Sequence, residues 1–229
     1  MKKRLTTIAA LALLALPGIC AAISDRPGGY VSGFLGVSIP RNTDVTNSDF
    51  ISNETFDDLM EFDPGINVGG ATGYDFGIMR MECELSYKYS EIKSITDQTD
   101  GFRFRSVSGN LGAFATMFNL FHDLHNDSPF TPYWGGGIGF AVLHLSDTYG
   151  TDIISGVQQR ILLYSADDAT VFAYQAGAGL EIALNPQLSL DLGYRYFGTA
   201  KARFDSDLRS MTEMKLESHN AVIGIRMKF

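Results

Sequence analysis

Residues 172–198 read FAYQAGAGLEIALNPQLSLDLGYRYFG. In the first arm Phe172, Tyr174, Ala176, Ala178, Leu180, Ile182 and Leu184 take every second position, with Gln175, Gly177, Gly179 and Glu181 between them. In the second, Leu188, Leu190, Leu192, Tyr194 and Tyr196 alternate with Ser189, Asp191, Gly193 and Arg195. A period of two is the strand signature, because successive side chains point to opposite faces. Asn185-Pro186-Gln187 supplies the turn, since Pro cannot donate to a ladder and Asn tolerates turn geometry. Each arm is long enough to cross a bilayer as a tilted strand, and aromatics lie toward the ends. The stretch is the pattern of a membrane β-hairpin.

The same alternation recurs outward from this hairpin. It predicts strands at Gly29–Ile39, Gly65–Phe76, Ile78–Ser90, Phe104–Phe118, Pro132–Leu145 and Met214–Phe229, eight with the opening pair. Ile78–Ser90 is the most regular: Met79, Met81, Cys83, Leu85, Tyr87 and Tyr89 against Arg80, Glu82, Glu84, Ser86 and Lys88. In Phe104–Phe118, Val107, Leu111, Ala113, Ala115 and Met117 make the apolar face. In Pro132–Leu145, Trp134, Ile138, Phe140 and Val142 oppose Tyr133, Gly135, Gly137, Gly139 and Ala141. Polar stretches Pro40–Asp63, Glu91–Arg103, Ser146–Ala169 and Thr199–Glu213 read as long loops, and the first holds seven acids against Arg41 alone. Within the third, the apolar run Ile161–Tyr164 reads as a strand extension beyond the bilayer. Gly77, Asn119–Thr131 and Asn185–Gln187 read as the shorter connections. Long and short connections alternate, which predicts an all-β, eight-stranded antiparallel transmembrane up-and-down barrel with its long loops at one end.

Composition and targeting agree. Met1–Arg4 is a basic n-region, Leu5–Leu16 an apolar h-region, and Cys20-Ala21-Ala22 offers small residues for cleavage, so residues 1–22 are expected to be a cleaved secretory signal peptide and 23–229 the barrel domain. Ile19 stands where a lipoprotein signal requires a small residue, which argues against a lipid anchor on Cys20. Removing the leader leaves 15 Lys and Arg against 26 Asp and Glu, a net charge of −11. Such acidity argues against nucleic-acid binding. Cys83 is then the single cysteine, so no internal disulfide is expected. A secreted chain that is 45% hydrophobic without a second long apolar run suits a barrel, which shows lipid only alternate residues.

A soluble barrel with its apolar face inward has the same alternation. Three features oppose it. The non-apolar face is rich in glycine (Gly36, Gly69, Gly73, Gly135, Gly137, Gly139, Gly177, Gly179, Gly193, Gly224), which suits the crowded interior of a narrow barrel and is a weak choice for a solvated strand face. That face also carries both charges: Glu82, Glu84, Glu181 and Asp191 with Lys88, Arg195 and Arg226. Aromatics such as Tyr87, Tyr89, Trp134, Tyr194, Tyr196 and Phe229 sit toward strand ends, as in an interfacial girdle.

Together the residues Gly73–Phe76, Arg80–Tyr87, Pro132–Phe140, Phe172–Gly179, Leu190–Phe197 and the terminal Phe229 carry a likeness across the whole mature chain. In order and spacing it resembles the OmpA-like and opacity-type eight-stranded outer-membrane barrels, most of all their surface-antigen branch. The resemblance implies the outer membrane of a Gram-negative bacterium and insertion by the barrel-assembly machinery, which in such proteins reads a C-terminal aromatic, here Phe229. It implies no single activity, since members anchor, adhere, evade immunity or leak small solutes. The periplasmic peptidoglycan-binding domain of some relatives is not expected here.

No catalytic, cofactor-binding or metal-ligating residue is assigned. His122-Asp123-Leu124-His125 with Asp127 has metal-like residue types but falls in an expected solvated turn. Glu217-Ser218-His219 suggests acyl transfer by a lipid-modifying barrel enzyme, yet strand neighbours face opposite ways and cannot pair as nucleophile and base. Gly135–Gly139 reads as packing rather than nucleotide binding, and Cys83 as an inert lipid-facing side chain. The acidic first loop reads as a solvated surface rather than a cation site. The expected function is a non-enzymatic surface protein, with outer-membrane lipid around it, acidic extracellular loops and an extracellular ligand for them. A narrow porin-like channel is the alternative, and a lipid-modifying enzyme a third.

Overall fold

The computed structural model describes residues 27–49, 54–99, 101–104, 106–154, 157–207 and 210–229, so the expected leader lies outside the described residues. The strands in chain order are β1 (Gly28–Pro40), β2 (Thr43–Asp49), β3 (Glu54–Phe62), β4 (Gly65–Asp75), β5 (Met79–Asp97), β6 (Arg103–Phe104), β7 (Asn110–Asp123) and β8 (Phe130–Leu145). They continue as β9 (Thr148–Ile154), β10 (Val157–Tyr164), β11 (Asp167–Ala183), β12 (Leu188–Thr199), β13 (Ala202–Asp207), β14 (Ser210–Met214) and β15 (Glu217–Lys228). Eight of them close a ring: β1, β4, β5, β7, β8, β11, β12 and β15, which returns to β1, with every neighbour antiparallel. Closure leaves no strand edge unpaired in hydrocarbon, the condition for spanning a membrane with strands.

The pleat sorts the two faces as the alternation predicts. Leu35, Ile138 and Phe140 point outward at 60–64% exposure, whereas Glu84, Lys88 and Asp191 point inward at 1–8%. In the opening hairpin Glu181 lies opposite Asp191 and Gly179 opposite Gly193, all lumen-facing. Three short turns join strands at one end. In each, an Asp or Asn carboxyl or amide oxygen accepts from a backbone N–H two residues on: Asp75 from Gly77 at 2.7 Å, Asn126 from Ser128 and Asn185 from Gln187 at 2.9 Å. Gly77 has φ of 101°, which a side chain would resist.

At the other end the structure departs from expectation. The polar stretches read as loops are largely strands. β2 and β3 form a hairpin, β3 pairs the extension of β5 past Ser90, β14 pairs β2, and β13 pairs β14. β9 and β10 make a separate hairpin that includes the apolar run Ile161–Tyr164. These strands stand in water on one face, so their sequences are polar overall. Their inner faces carry Val45, Met60, Phe62, Ile95, Phe204 and Met214, all buried.

The fourth barrel strand also differs. It spans Asn110–Asp123 rather than Phe104–Phe118, with Arg103–Phe104 a separate short strand. Its faces are reversed: Leu111, Ala113, Ala115 and Met117 face the lumen, and Phe114, Phe118 and Leu120 are exposed to lipid. β7 is apolar on both sides, so period alone cannot choose its outside. The last strand begins at Glu217, since Met214 ends β14.

Candidate functional site

The barrel interior has two zones. Toward the short-turn end lies a lattice of charge. Arg80 reaches Glu181 at 3.2 Å and Asp123 at 3.5 Å, and Arg226 reaches Asp191 at 2.9 Å and also pairs Glu181. The Tyr30 and Tyr133 hydroxyls donate to Glu82 at 2.9 Å and Asp191 at 2.7 Å. Arg80 stacks over the Tyr133 ring at 4.2 Å and Arg226 over Tyr30 at 4.9 Å. At the mouth Lys228 meets Asp75 at 2.9 Å.

One layer deeper, Glu84 accepts from Arg195, from Asn119 at 3.0 Å and from Gln175 at 3.0 Å. Lys88 donates to Ser86 at 3.1 Å and sits 4.1 Å from the Phe197 ring centroid. Carboxylates taken from water require such paired donors, because an uncompensated buried charge costs several kcal/mol. The space left is small: a cavity of about 10 Å³ among Arg80, Glu82, Asp191, Arg195 and Arg226, and one of about 50 Å³ at the turn-end mouth. The first is barely the size of one water molecule.

From the level of Glu84 and Lys88 toward the long-loop end, the lumen side formed by β7, β8 and β11 is apolar, while buried Ser38, Asn67, Ser218 and Asn220 keep the side of β1, β4 and β15 polar. Ala113, Ala115, Met117, Ala141, Leu143, Ala173 and Phe197 form one buried cluster that continues into Ile92, Ile95, Val45, Met60, Phe204 and Met214 beyond the ring. The long-loop sheet is thus not an appendage; its core is the upper lumen's core.

A polar junction joins three of the loop segments. Tyr164 at the foot of β10 donates to the Asp58 carboxylate on β3, Asn47 of β2 donates to both at 3.2 Å, and Thr212 of β14 donates to Asn47 at 2.7 Å. Burial pushes the Asp58 carboxyl above its ordinary range, and the neighbouring Asp97 and Asp57 add to this. Burial likewise pushes the Tyr164 phenol up, with Asp58 beside it. Glu213, held by Lys201 at 2.8 Å and Arg203 at 2.7 Å, is shifted down. Glu61 accepts from Ser94 at 2.6 Å and pairs Arg103, and Gln98 donates to Asp44 at 2.7 Å.

All seven charges expected to face inward do so: Glu82, Glu84, Lys88, Glu181, Asp191, Arg195 and Arg226. Sequence reasoning missed their partners. Arg80 was visible in phase with Glu82. Tyr133 lies on the glycine face of its strand. Asn119 was hidden by the misplaced fourth strand, and Gln175 carries no charge to draw attention. The weaker motifs come apart. His122 points outward beside Trp134, with ring centroids 5.9 Å apart, while Asp123 points inward to Arg80. Both lie at the end of β7, not in a turn. Ser218 is buried in the lumen, whereas His219 is on the outer face with Nδ1 2.7 Å from the Tyr194 hydroxyl. Among the described residues no group of three or more His, Cys, Asp or Glu is placed to hold a metal ion. Cys83 is a free, exposed thiol on the lipid face. Phe229 is 76% exposed, and its backbone N–H donates to Gly29 at 3.0 Å.

Comparison with known proteins agrees with this architecture. Outer membrane protein PagN of Salmonella typhimurium is 25% identical, over 91% of this chain and 93% of its own. Major surface antigen 4 of Anaplasma marginale is 24% identical, over 87% of this chain and 66% of its own. The crystal structure of the outer membrane protein OprG from Pseudomonas aeruginosa matches with a TM-score of 0.55 at 15% identity, covering 88% of this chain and 96% of that one, a likeness of fold. Residues 6–229 match the family model described as the outer membrane protein beta-barrel domain. The chain belongs to that family, and its place is the outer membrane of a Gram-negative bacterium.

Proposed function

We propose that this is a non-enzymatic surface protein whose barrel anchors a folded, acidic extracellular platform that serves adhesion or acts as a surface antigen. The observation that carries the reading is the continuous filling of the bore. An ionic lattice occupies its lower half; above it buried polar side chains of β1, β4 and β15 face an apolar cluster of β7, β8 and β11 that runs on into the loop sheet. A conducting channel would keep a hydrated path, whereas an anchor gains rigidity from closing it. The likeness to major surface antigen 4 supports the same class. Ser218 and His219 on opposite faces of β15 leave the lipid-modifying reading without a nucleophile–base pair. Residues 1–22 serve as the signal peptide. The exposed Phe229 ring is the feature offered to the barrel-assembly machinery.

Two measurements test the reading. Impermeant thiol labelling of whole cells should modify Asp57→Cys but not Asn185→Cys, in a Cys83→Ser background. The reverse pattern sinks the surface assignment. In planar bilayers the wild type should show no large steady conductance; a stable open-channel current would promote the narrow-channel reading instead.

A further inference from the structure

Beyond the barrel, β13 at the end of the loop sheet and the two-residue β6 each have a strand partner on one side only, and so does the longer β10. It belongs to a two-stranded sheet with β9 alone. β9 is covered on its other side, where Tyr149 and Ser108 exchange two backbone hydrogen bonds of 2.9 Å. Among the described residues, the opposite edge of β10 has no backbone partner.

The hairpin is nevertheless held firmly. Tyr164 is tied to Asp58 and Asn47 at its foot. The Arg160 guanidinium lies 3.9 Å from the Tyr149 ring centroid, bracing the two strands. Leu163 and Phe104 close on Gly150 so tightly that an added Cβ would meet them at 2.9 and 2.7 Å. On one face of β10 Ile161 and Leu163 are half-buried, Leu163 bordering the platform core, while Gln159 is exposed. The other presents Gln158, Arg160 and Leu162 to solvent, Leu162 at 47% exposure. An exposed strand edge is a template for another chain, and proteins blunt it with Lys, Pro or bulges. Residues 157–163, VQQRILL, contain neither Lys nor Pro; their one charge, Arg160, is folded over the Tyr149 ring, and the register shift falls at the foot, between Leu162 and Tyr164.

We infer that the free edge of β10 is a docking site for an extended polypeptide segment of a foreign partner, added as a further strand, with basic residues alternating with apolar ones. Backbone hydrogen bonds would give affinity, and the side chains at alternate positions would give selectivity. Charge selects the partner. Asp58 lies at the foot of β10, with Asp57 and Asp97 beside it. Asp147 and Asp167 flank the same hairpin, and Asp147 accepts from the Ala166 N–H at 2.8 Å. Residues 40–63 hold seven acids and one base. A second copy of this chain would bring two such acidic platforms together, so a basic strand fits and a self-pair does not.

This inference rests on the surface-protein reading, and its test is kept separate from it. The full chain is placed in lipid nanodiscs. The probe is a fluorescent eight-residue peptide of alternating Lys and Val carrying a photo-reactive group. Binding should saturate, and cross-links should map to 157–164. The same peptide N-methylated at alternate residues, which blocks one hydrogen-bonding edge and keeps the charge, should bind at least tenfold more weakly. Equal binding by the methylated peptide, cross-links confined to other segments, or no saturable binding overturns the inference. A wild-type dimer cross-linked through β10 of both copies overturns it as well. Nanodiscs expose both membrane faces, so a failed peptide test leaves the whole-cell topology result standing, and the converse holds.

Discussion

Removing Glu84 should cost more than removing Arg195, although the two form one ion pair. Glu84 is 1% exposed and Arg195 12% in their side chains. Truncating one partner of a buried pair costs about 3–5 kcal/mol, because the other charge is left uncompensated. The structure distributes that cost unevenly. Without Arg195, Glu84 still accepts from Asn119 and Gln175, each at 3.0 Å, and keeps the Lys88 charge nearby. Without Glu84, both Arg195 and Lys88 lose their carboxylate, and Lys88 keeps only the Ser86 hydroxyl and the face of Phe197. Arg195→Ala should therefore fall near the lower end, about 3 kcal/mol, and Glu84→Ala near the upper, about 5 kcal/mol. The double variant should cost less than the sum of the two, since no lone Glu84–Arg195 partner remains. Urea titrations in lipid vesicles, followed by the fluorescence of the single tryptophan, Trp134, measure all three. Arg195→Ala as costly as Glu84→Ala would refute the assigned network. Costs below about 1 kcal/mol for both would show a hydrated, screened lumen, the behaviour of exposed pairs.

Ile138 is 60% exposed to lipid, so Ile138→Arg should lose about 2–4 kcal/mol of folding free energy while Gln187→Arg, in a turn, changes little; folded yields in vesicles compare them. At Gly139 a Cβ would meet the Thr116 carbonyl oxygen at 2.0 Å and the Met117 Cα at 2.9 Å, whereas at Gly33 the nearest atom is 4.0 Å away. Gly139→Ala should thus destabilise by about 1–3 kcal/mol and Gly33→Ala by much less, which the same titrations would read. Asp58 titrates above its ordinary 3.8, so its protonated form favours the folded platform. That stabilisation is complete below 3.8 and is lost as pH rises through the folded value. Hydrogen exchange of β3 and β10, corrected for intrinsic rates, should show more protection at acidic than at neutral pH, and Asp58→Asn should abolish the difference.

The barrel was legible in the sequence because hydrocarbon punishes error. Outside the ring a lipid-facing position must be apolar, so Met79 to Tyr89 alternates without exception and Phe172 to Ile182 does so with Ala173 alone out of step. Inside, glycine and charge mark the lumen wherever the lattice lies. β7 broke the rule because its lumen half faces the apolar cluster, so Ala115 and Met117 inside look like Phe114 and Phe118 outside. The loop strands were illegible for the opposite reason. One side of each is in water, and in β2 a single Val45 among Thr, Asp and Asn carries the inner face. The lattice itself was half legible: charges announce themselves, whereas Asn119, Gln175, Tyr30 and Tyr133 become partners only once the register brings them across the lumen.

The two interior zones make different demands on the chain. Charge pairs are directional, so the lower lattice fixes the stagger of β5, β11, β12 and β15 against one another: a one-residue slip would turn Glu84 or Arg226 into the lipid. The apolar cluster above is tolerant of detail and supplies burial rather than register. Because that cluster runs on past the ring, the platform inherits the rigidity of the barrel without needing membrane-facing residues of its own. Its outward positions are thereby released from packing, and they are the ones crowded with acids. A surface whose inner half is fixed by a shared core and whose outer half is unconstrained can change its exposed chemistry without changing its fold.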